Sequence, residues 1–160
     1  MRTTYHLFFV VILATILLSG CDENDLVEDN LNANSQDLYE LYLQNKAGWV
    51  ELNATDYDFE FTIDCFCGIA GQYSVSVRNK NITTIFRNAS GVFIEAELFA
   101  QFYTIDDLFE QIQLAFDQDR QLSLGFDQTL YYPTLIIIDE DLIPVDGGYT
   151  MTTSNLLIIN

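Results

Sequence analysis

The chain has 160 residues, 24 acids against six bases, and a formal net charge of −18. Such a surface repels phosphate backbones and anionic headgroups, which argues against nucleic acid as a partner. A hydrophobic fraction of 49% with 14% aromatics excludes a disordered acidic chain and points to a packed globule.

Arg2 is the only charge before an apolar run from Leu7 to Leu18. That run is shorter than the ~20 residues a membrane span needs. A basic start, a short apolar core and small residues at its end are the parts of an export signal. Leu18-Ser19-Gly20-Cys21 closes the run. It resembles the signal of bacterial lipoproteins, in which cleavage precedes a cysteine that accepts lipid. Residues 1–20 are therefore expected to be removed and Cys21 to carry acyl chains such as palmitate. Each buried lipid CH₂ contributes about 0.8 kcal/mol, so several chains on one cysteine anchor firmly. The mature chain would be held on a membrane of the bacterial cell envelope through lipid on Cys21. Which membrane and which face stay open.

Cleavage has a chemical consequence. The one histidine, His6, lies inside the signal. Without it, Ser-His and Cys-His triads and histidine-rich zinc or copper sites are excluded. The bases left are Lys46, Arg78, Lys80, Arg87 and Arg120.

Residues 21–35 read as an acidic tether, with Asp22, Glu23, Asp25, Glu28 and Asp29 and no base. Like-charge repulsion predicts an extended segment, reaching up to about 45 Å at ~3.3 Å per residue. Residues 36–160 then form a single domain. A helix is predicted from Ser35 to about Leu52, capped by Ser35 or Asp37, with Leu38, Leu41, Tyr42 and Trp49 as its apolar stripe. Trp49 is read as a core anchor.

Strands follow. Tyr57, Phe59, Phe61, Ile63 and Cys65 alternate with Asp58, Glu60, Thr62 and Asp64, the period of a half-buried strand. Tyr73, Val75 and Val77 alternate in a second, and Asn79-Lys80-Asn81 turns the chain into a third, Ile82 to Arg87. Asn88 to Gly91 is another turn. Val92 to Tyr103 is compatible with strand or helix. Thr104-Ile105-Asp106-Asp107 resembles a capping box with Asp in the Glu position. Its helix should run to about Asp117, with Leu108, Ile112, Ala115 and Phe116 facing the core and Phe109 flanking them. Leu122 to Phe126, Thr134 to Ile138 and Tyr149 to Ile159 complete the sheet. The expected fold is α+β: a single domain with an antiparallel sheet of about six strands packed with two helices.

Few residues carry chemistry. Cys65 and Cys67 stand two apart. On a regular strand they would share a face with Cα atoms about 6.6 Å apart, near the upper limit for a disulfide. A local disulfide, free core thiols, thiol–disulfide exchange and a soft-metal site all remain open. An oxidising envelope favours the bond. Two thiolates without histidine make a poor metal site. Asp139, Asp141 and Asp146 do not have EF-hand spacing and read as a polar turn. Asn53, Asn81 and Asn88 begin glycosylation sequons that a bacterial signal makes chance matches. No catalytic set, metal site or cofactor is expected.

Trp49, Asp56-Tyr57-Asp58-Phe59 and Cys65-Phe66-Cys67 in that order resemble the opening of a family of bacterial secreted proteins and lipoproteins. The family is catalogued as domain of unknown function 6174. Ser74 to Asn81 resembles its Val-x-Val strand and turn, and Thr104 to Phe109 its helix start. Tyr132-Pro133, Ile138-Asp139 and Asp146-Gly147-Gly148 resemble its ending. The resemblance covers about Trp49 to Leu157. Tyr131 stands where the family has glycine. The resemblance implies an envelope domain and no known activity.

The expected function is therefore a membrane-anchored envelope lipoprotein that binds or supports an envelope protein partner without catalysis. A thiol–disulfide redox protein using Cys65 and Cys67 is one alternative. An envelope inhibitor of a partner enzyme is another.

Overall fold

The computed structural model describes residues 23–139 and 147–159. Cys21, Asp141 and Asp146 lie outside them. The elements run α1 (Glu23–Leu52), β1 (Tyr57–Cys65), β2 (Gly71–Arg78), β3 (Asn81–Arg87), β4 (Val92–Phe93), a 3₁₀ helix (Ala96–Gln101), α2 (Ile105–Asp117), β5 (Leu122–Phe126), β6 (Pro133–Ile138) and β7 (Tyr149–Ile158). The α+β class holds. The seven strands lie in the order β4-β3-β2-β1-β7-β6-β5, every neighbouring pair antiparallel. One more strand is present than expected, the two-residue β4 drawn from the segment compatible with either state.

The order follows from short connections. β1 to β4 form one meander and β5 to β7 another. β7 then lies against β1, which becomes the central strand. The 3₁₀ helix and α2 carry the chain from one edge of the sheet to the other.

Period-two alternation on β1 divides the sheet. Tyr57, Phe59, Phe61 and Ile63 are buried on one face. Asp58, Glu60, Thr62 and Asp64 are not buried on the other. Both helices pack on the apolar face: Trp49 of α1 meets the Tyr57 ring edge-on at 5.4 Å, and Ile105, Leu108, Phe109, Ile112 and Ala115 of α2 are buried. Each such side chain stabilises by roughly 1.5–3 kcal/mol when fully removed from water. Phe109 is thus a core residue and not a flanking one, and it stacks on Phe126 of β5 at 6.1 Å. Phe116 is only half-buried.

Helix α1 departs from expectation twice. It runs from Glu23, so Ser35 and Asp37 lie within it and not at its N-cap. The segment expected to be extended is helical. Propagation adds one hydrogen bond for each residue fixed once a helix is nucleated, and acids at a helix start complement its dipole. At ~1.5 Å per residue the helical segment spans less than half its extended reach. The buried stripe is Tyr42, Asn45 and Trp49, with Leu38 half-buried before them, and it leaves out Leu41, which is 38% exposed. Asn45 tolerates burial because its Nδ2 donates to the Leu41 carbonyl at 2.8 Å.

Gly48 faces the loop between β5 and β6. A Cβ built there would meet the Tyr131 ring at 2.5 Å. Tyr131 itself holds φ at +61°, the left-handed region that suits glycine. The residue that departs from the family pattern thus keeps the backbone shape a glycine would take, and lays its ring on the glycine of α1. Gly48→Ala should lower stability by about 1–3 kcal/mol despite alanine's better helix propensity. In a Tyr131→Gly background the same substitution should cost little. Chemical denaturation of the four proteins measures the coupling, and equal costs in both backgrounds would refute the contact.

Candidate functional site

The start of α2 is organised by two sets of contacts. Thr104 Oγ1 accepts from the Asp107 N–H at 3.1 Å, and Asp107 Oδ2 accepts from the Thr104 N–H at 2.8 Å. This is the expected capping box, with the shorter Asp in the Glu position. The Ile105 N–H, which a first helical residue cannot satisfy within its helix, donates to Tyr57 Oη at 3.1 Å. Trp49 Nε1 donates to Asp106 Oδ1 at 3.0 Å. The end of α1, the start of β1 and the start of α2 are therefore tied at one point. Burial, the largest cause, and the Asp106 and Asp107 carboxylates push the Tyr57 phenol above its ordinary pKa against the opposing pull of the Ile105 N–H, so it stays neutral.

This arrangement forms one wall of a groove of about 640 Å³. The β2–β3 hairpin supplies Lys80 and Ile82, the 3₁₀ helix Phe99, and the approach to α2 Tyr103, while Asp106, Glu110 and Gln111 line the helix side. Asn79 and Lys80 both hold positive φ, at 50° and 63°, and the hairpin closes on the Arg78–Asn81 pair as the turn residues predict. The Lys80 N–H donates to the Thr55 carbonyl at 2.8 Å, which fixes the hairpin against the end of α1. Burial first, then the Asp107 carboxylate, raises the Tyr103 phenol, so it too remains a neutral donor.

The groove has a definite chemical character. Its floor is aromatic and aliphatic, its rim carries three carboxylates against one ammonium, and the first and third amides of α2 are already used. A helix start with free amides attracts anions; here two of those amides are occupied by side chains and Asp106 and Asp107 place carboxylates in the first turn, which disfavours an anion. The lining suits a group that is apolar in part and positively charged in part. Sequence reasoning missed the groove because its walls come from separate segments. The one signal was the capping box, which placed the α2 start.

Cys65 and Cys67 lie at the opposite end of the strands. Cys65 pairs with Tyr149 in the register of β1 and β7. The chain bends at Phe66, the Cα atoms come to 5.2 Å, and the sulfurs meet as a disulfide. Bending supplies the closure a regular strand would not reach. Phe66 is left 85% exposed at the tip, and Cys67 is exposed while Cys65 is half-buried. The far side of the loop is firm: Tyr73 Oη donates to the Ile69 carbonyl at 3.0 Å and Arg87 Nη2 to the Ala70 carbonyl at 2.9 Å. Nearby, Asp139 accepts from Arg120 Nε at 2.7 Å and from the Gln121 N–H at 2.9 Å, so it serves an ion pair and a turn. Among the described residues no group of three or more His, Cys, Asp or Glu could hold a metal ion.

A model of a protein family matches residues 41–158, most of the chain, and the family is described as one of unknown function, DUF6174. The chain belongs to this family. The match spans both the groove and the cysteine pair of the DUF6174 domain. No curated protein and no solved structure matches the chain. Among the described residues no helix is long and apolar enough to cross a membrane.

Tyr57→Phe removes the acceptor of a buried amide and should cost about 1–3 kcal/mol. The raised phenol also sets a pH dependence. The unfolded chain ionises its tyrosine near pH 10 while the folded one holds its proton, so stability is full below that pH and falls above it. Thermal unfolding across pH 8–11 should show this alkaline fall in the wild type and a shallower one in Tyr57→Phe. Parallel profiles would contradict the burial of the Tyr57 hydroxyl.

Proposed function

We propose that this DUF6174 protein is a lipid-anchored component of the bacterial cell envelope that binds a protein partner and does not transform a substrate. The observation that carries the binding role is the groove beside the start of α2, whose lining sets Phe99 and Tyr103 beside Asp106, Asp107 and Glu110, with the first and third helix amides occupied. A partner segment presenting an apolar side chain next to a lysine or arginine fits that lining. Burying such a pair against Phe99 and Tyr103 removes apolar area from water, while Asp106 and Glu110 face the cation. The excess of acids steers basic partners and repels phosphate. Anchoring rests on the run ending at Cys21, and α1 then links the lipid to the domain.

The reading is tested in intact envelopes of cells producing the full chain. Metabolic labelling with an alkyne fatty acid should mark the wild type and not Cys21→Ala. A photo-crosslinker at Gln111, in the groove, should capture one discrete protein. The same probe at Ser154, on the open sheet face, should not. Glu110→Gln should weaken capture severalfold without altering stability, because Glu110 is exposed. Equal capture from both positions, or none from Gln111, overturns the groove as the binding surface.

The exposure of Cys67 favours a second reading, thiol–disulfide exchange. A partner thiolate would attack Cys67 Sγ and expel the Cys65 thiolate. A second partner thiol would then resolve the mixed disulfide, leaving the partner oxidised and both cysteines reduced. In a Cys65→Ser variant the Cys67 thiolate can attack the disulfide of the oxidised partner, expelling one partner thiolate, and with no Cys65 to release it the mixed disulfide should accumulate and be trapped by acid quenching. A chain that traps nothing is not an exchange protein.

A further inference from the structure

The two edges of the sheet are finished differently. At one, β4 is two residues long, and the 3₁₀ helix packs beside β3. Shortness and cover are ordinary ways of protecting an edge. At the other, β5 is a five-residue strand paired only with β6. Its sequence, Leu122-Ser123-Leu124-Gly125-Phe126, has neither charge nor proline.

The ladder shows which groups that edge presents. The Asp139 N–H donates to the Gln121 carbonyl at 2.9 Å, and the Asp127 N–H donates to the Tyr132 carbonyl at 3.0 Å. Ser123 and Gly125 fall on the same phase, opposite Ile137 and Leu135, and spend their main-chain groups on β6. The main-chain groups of Leu122, Leu124 and Phe126 therefore point out of the sheet. Among the described residues, the one hydrogen bond reaching them is a long one, 3.4 Å, from Gln128 Nε2 to the Phe126 carbonyl.

We propose that β5 is a self-association edge, on which two copies of the chain pair β5 to β5, antiparallel, about a two-fold axis at Leu124. In that register Leu122 faces Phe126 of the second copy and Leu124 faces Leu124. All three outward residues fall in hydrogen-bonded pairs, about six bonds in all, and the two sheets become one. Leu122, Leu124 and Phe126 are half-buried and pack against the core, so pairing extends the apolar layer over the junction. On the other face the residues that meet are serine and glycine, too small to obstruct.

Charge does not bar a second copy from this edge. The net charge opposes association in general, but β5 itself is neutral, and acids beyond about 8 Å are largely screened at physiological salt. The same register places Arg120, whose guanidinium stays on Asp139 at 2.7 Å, opposite Gln128 of the second copy and Asp127 opposite Gln121, so no like charges stand opposite one another. The edge is separate from the groove, and this inference does not rest on the binding reading.

The test is the mass of the purified full chain by sedimentation. The wild type should sediment as a dimer. Leu124→Lys, which sets two ammonium groups across the axis, should sediment as a single chain with unchanged circular dichroism. Leu124→Cys, a smaller change, should form an intermolecular disulfide on oxidation that reductant reverses. A wild type of single-chain mass at every concentration overturns the proposal. So does a dimer that Leu124→Lys leaves intact while Leu124→Cys fails to crosslink, as pairing through another surface or with an unrelated extended peptide would give.

Discussion

Tyr57 receives a tryptophan on its ring and a helix amide on its hydroxyl. The Trp49 indole stands edge-on to it at 5.4 Å, the Ile105 N–H reaches its oxygen at 3.1 Å, and the same Trp49 donates to Asp106 one residue along α2. The end of α1, the start of β1 and the start of α2, 48 residues beyond Tyr57, are thereby held in one relation. An aromatic ring in this position does two jobs an aliphatic residue could not. It fills the core at the end of the central strand, and it satisfies a donor that the helix start leaves unpaired. The burial that makes the ring useful also keeps its hydroxyl neutral.

The groove is a consequence of that joint. Its acidic wall is the first two turns of α2, placed by Tyr57 and Thr104. Its opposite wall is the β2–β3 hairpin, tied to the end of α1 through Lys80 and Thr55. A shift of α2 along the sheet would widen or close the space without altering any residue that lines it. Binding by such a surface depends on core packing as much as on the exposed rim. The cysteine loop at the other end is built on a different logic: a covalent closure two residues apart, with Tyr73 and Arg87 holding the remainder and Phe66 left outside.

Much of the fold could be read from the chain. The alternation from Tyr57 to Ile63, the Asn-Lys hairpin and the Thr104 capping box each rest on local chemistry that tertiary context did not override. Where expectation and structure part, the cause is local along α1 and non-local elsewhere. Leu41 yields its place in the α1 stripe to Asn45 because that polar side chain finds a carbonyl within its own helix. The start of α1 moves to Glu23 because helix propagation outweighs acid repulsion. Val92 to Tyr103 resolves into a short strand and a 3₁₀ helix only in the presence of β3. The Gly48–Tyr131 contact joins two residues that no sequence period connects. For the site, the chain showed the cysteine pair, whereas the groove exists only once four segments are assembled.

The central claim is that Tyr57 holds the start of α2 against the sheet, and native-state hydrogen exchange at the Ile105 amide tests it most directly. A first-turn amide without a partner exchanges through fraying, far faster than a core strand. The account predicts that Ile105 exchanges as slowly as the central residues of β1, and that Tyr57→Phe releases it while those residues stay protected. An Ile105 amide that exchanges rapidly in the wild type, at the rate of an exposed helix end, would contradict it.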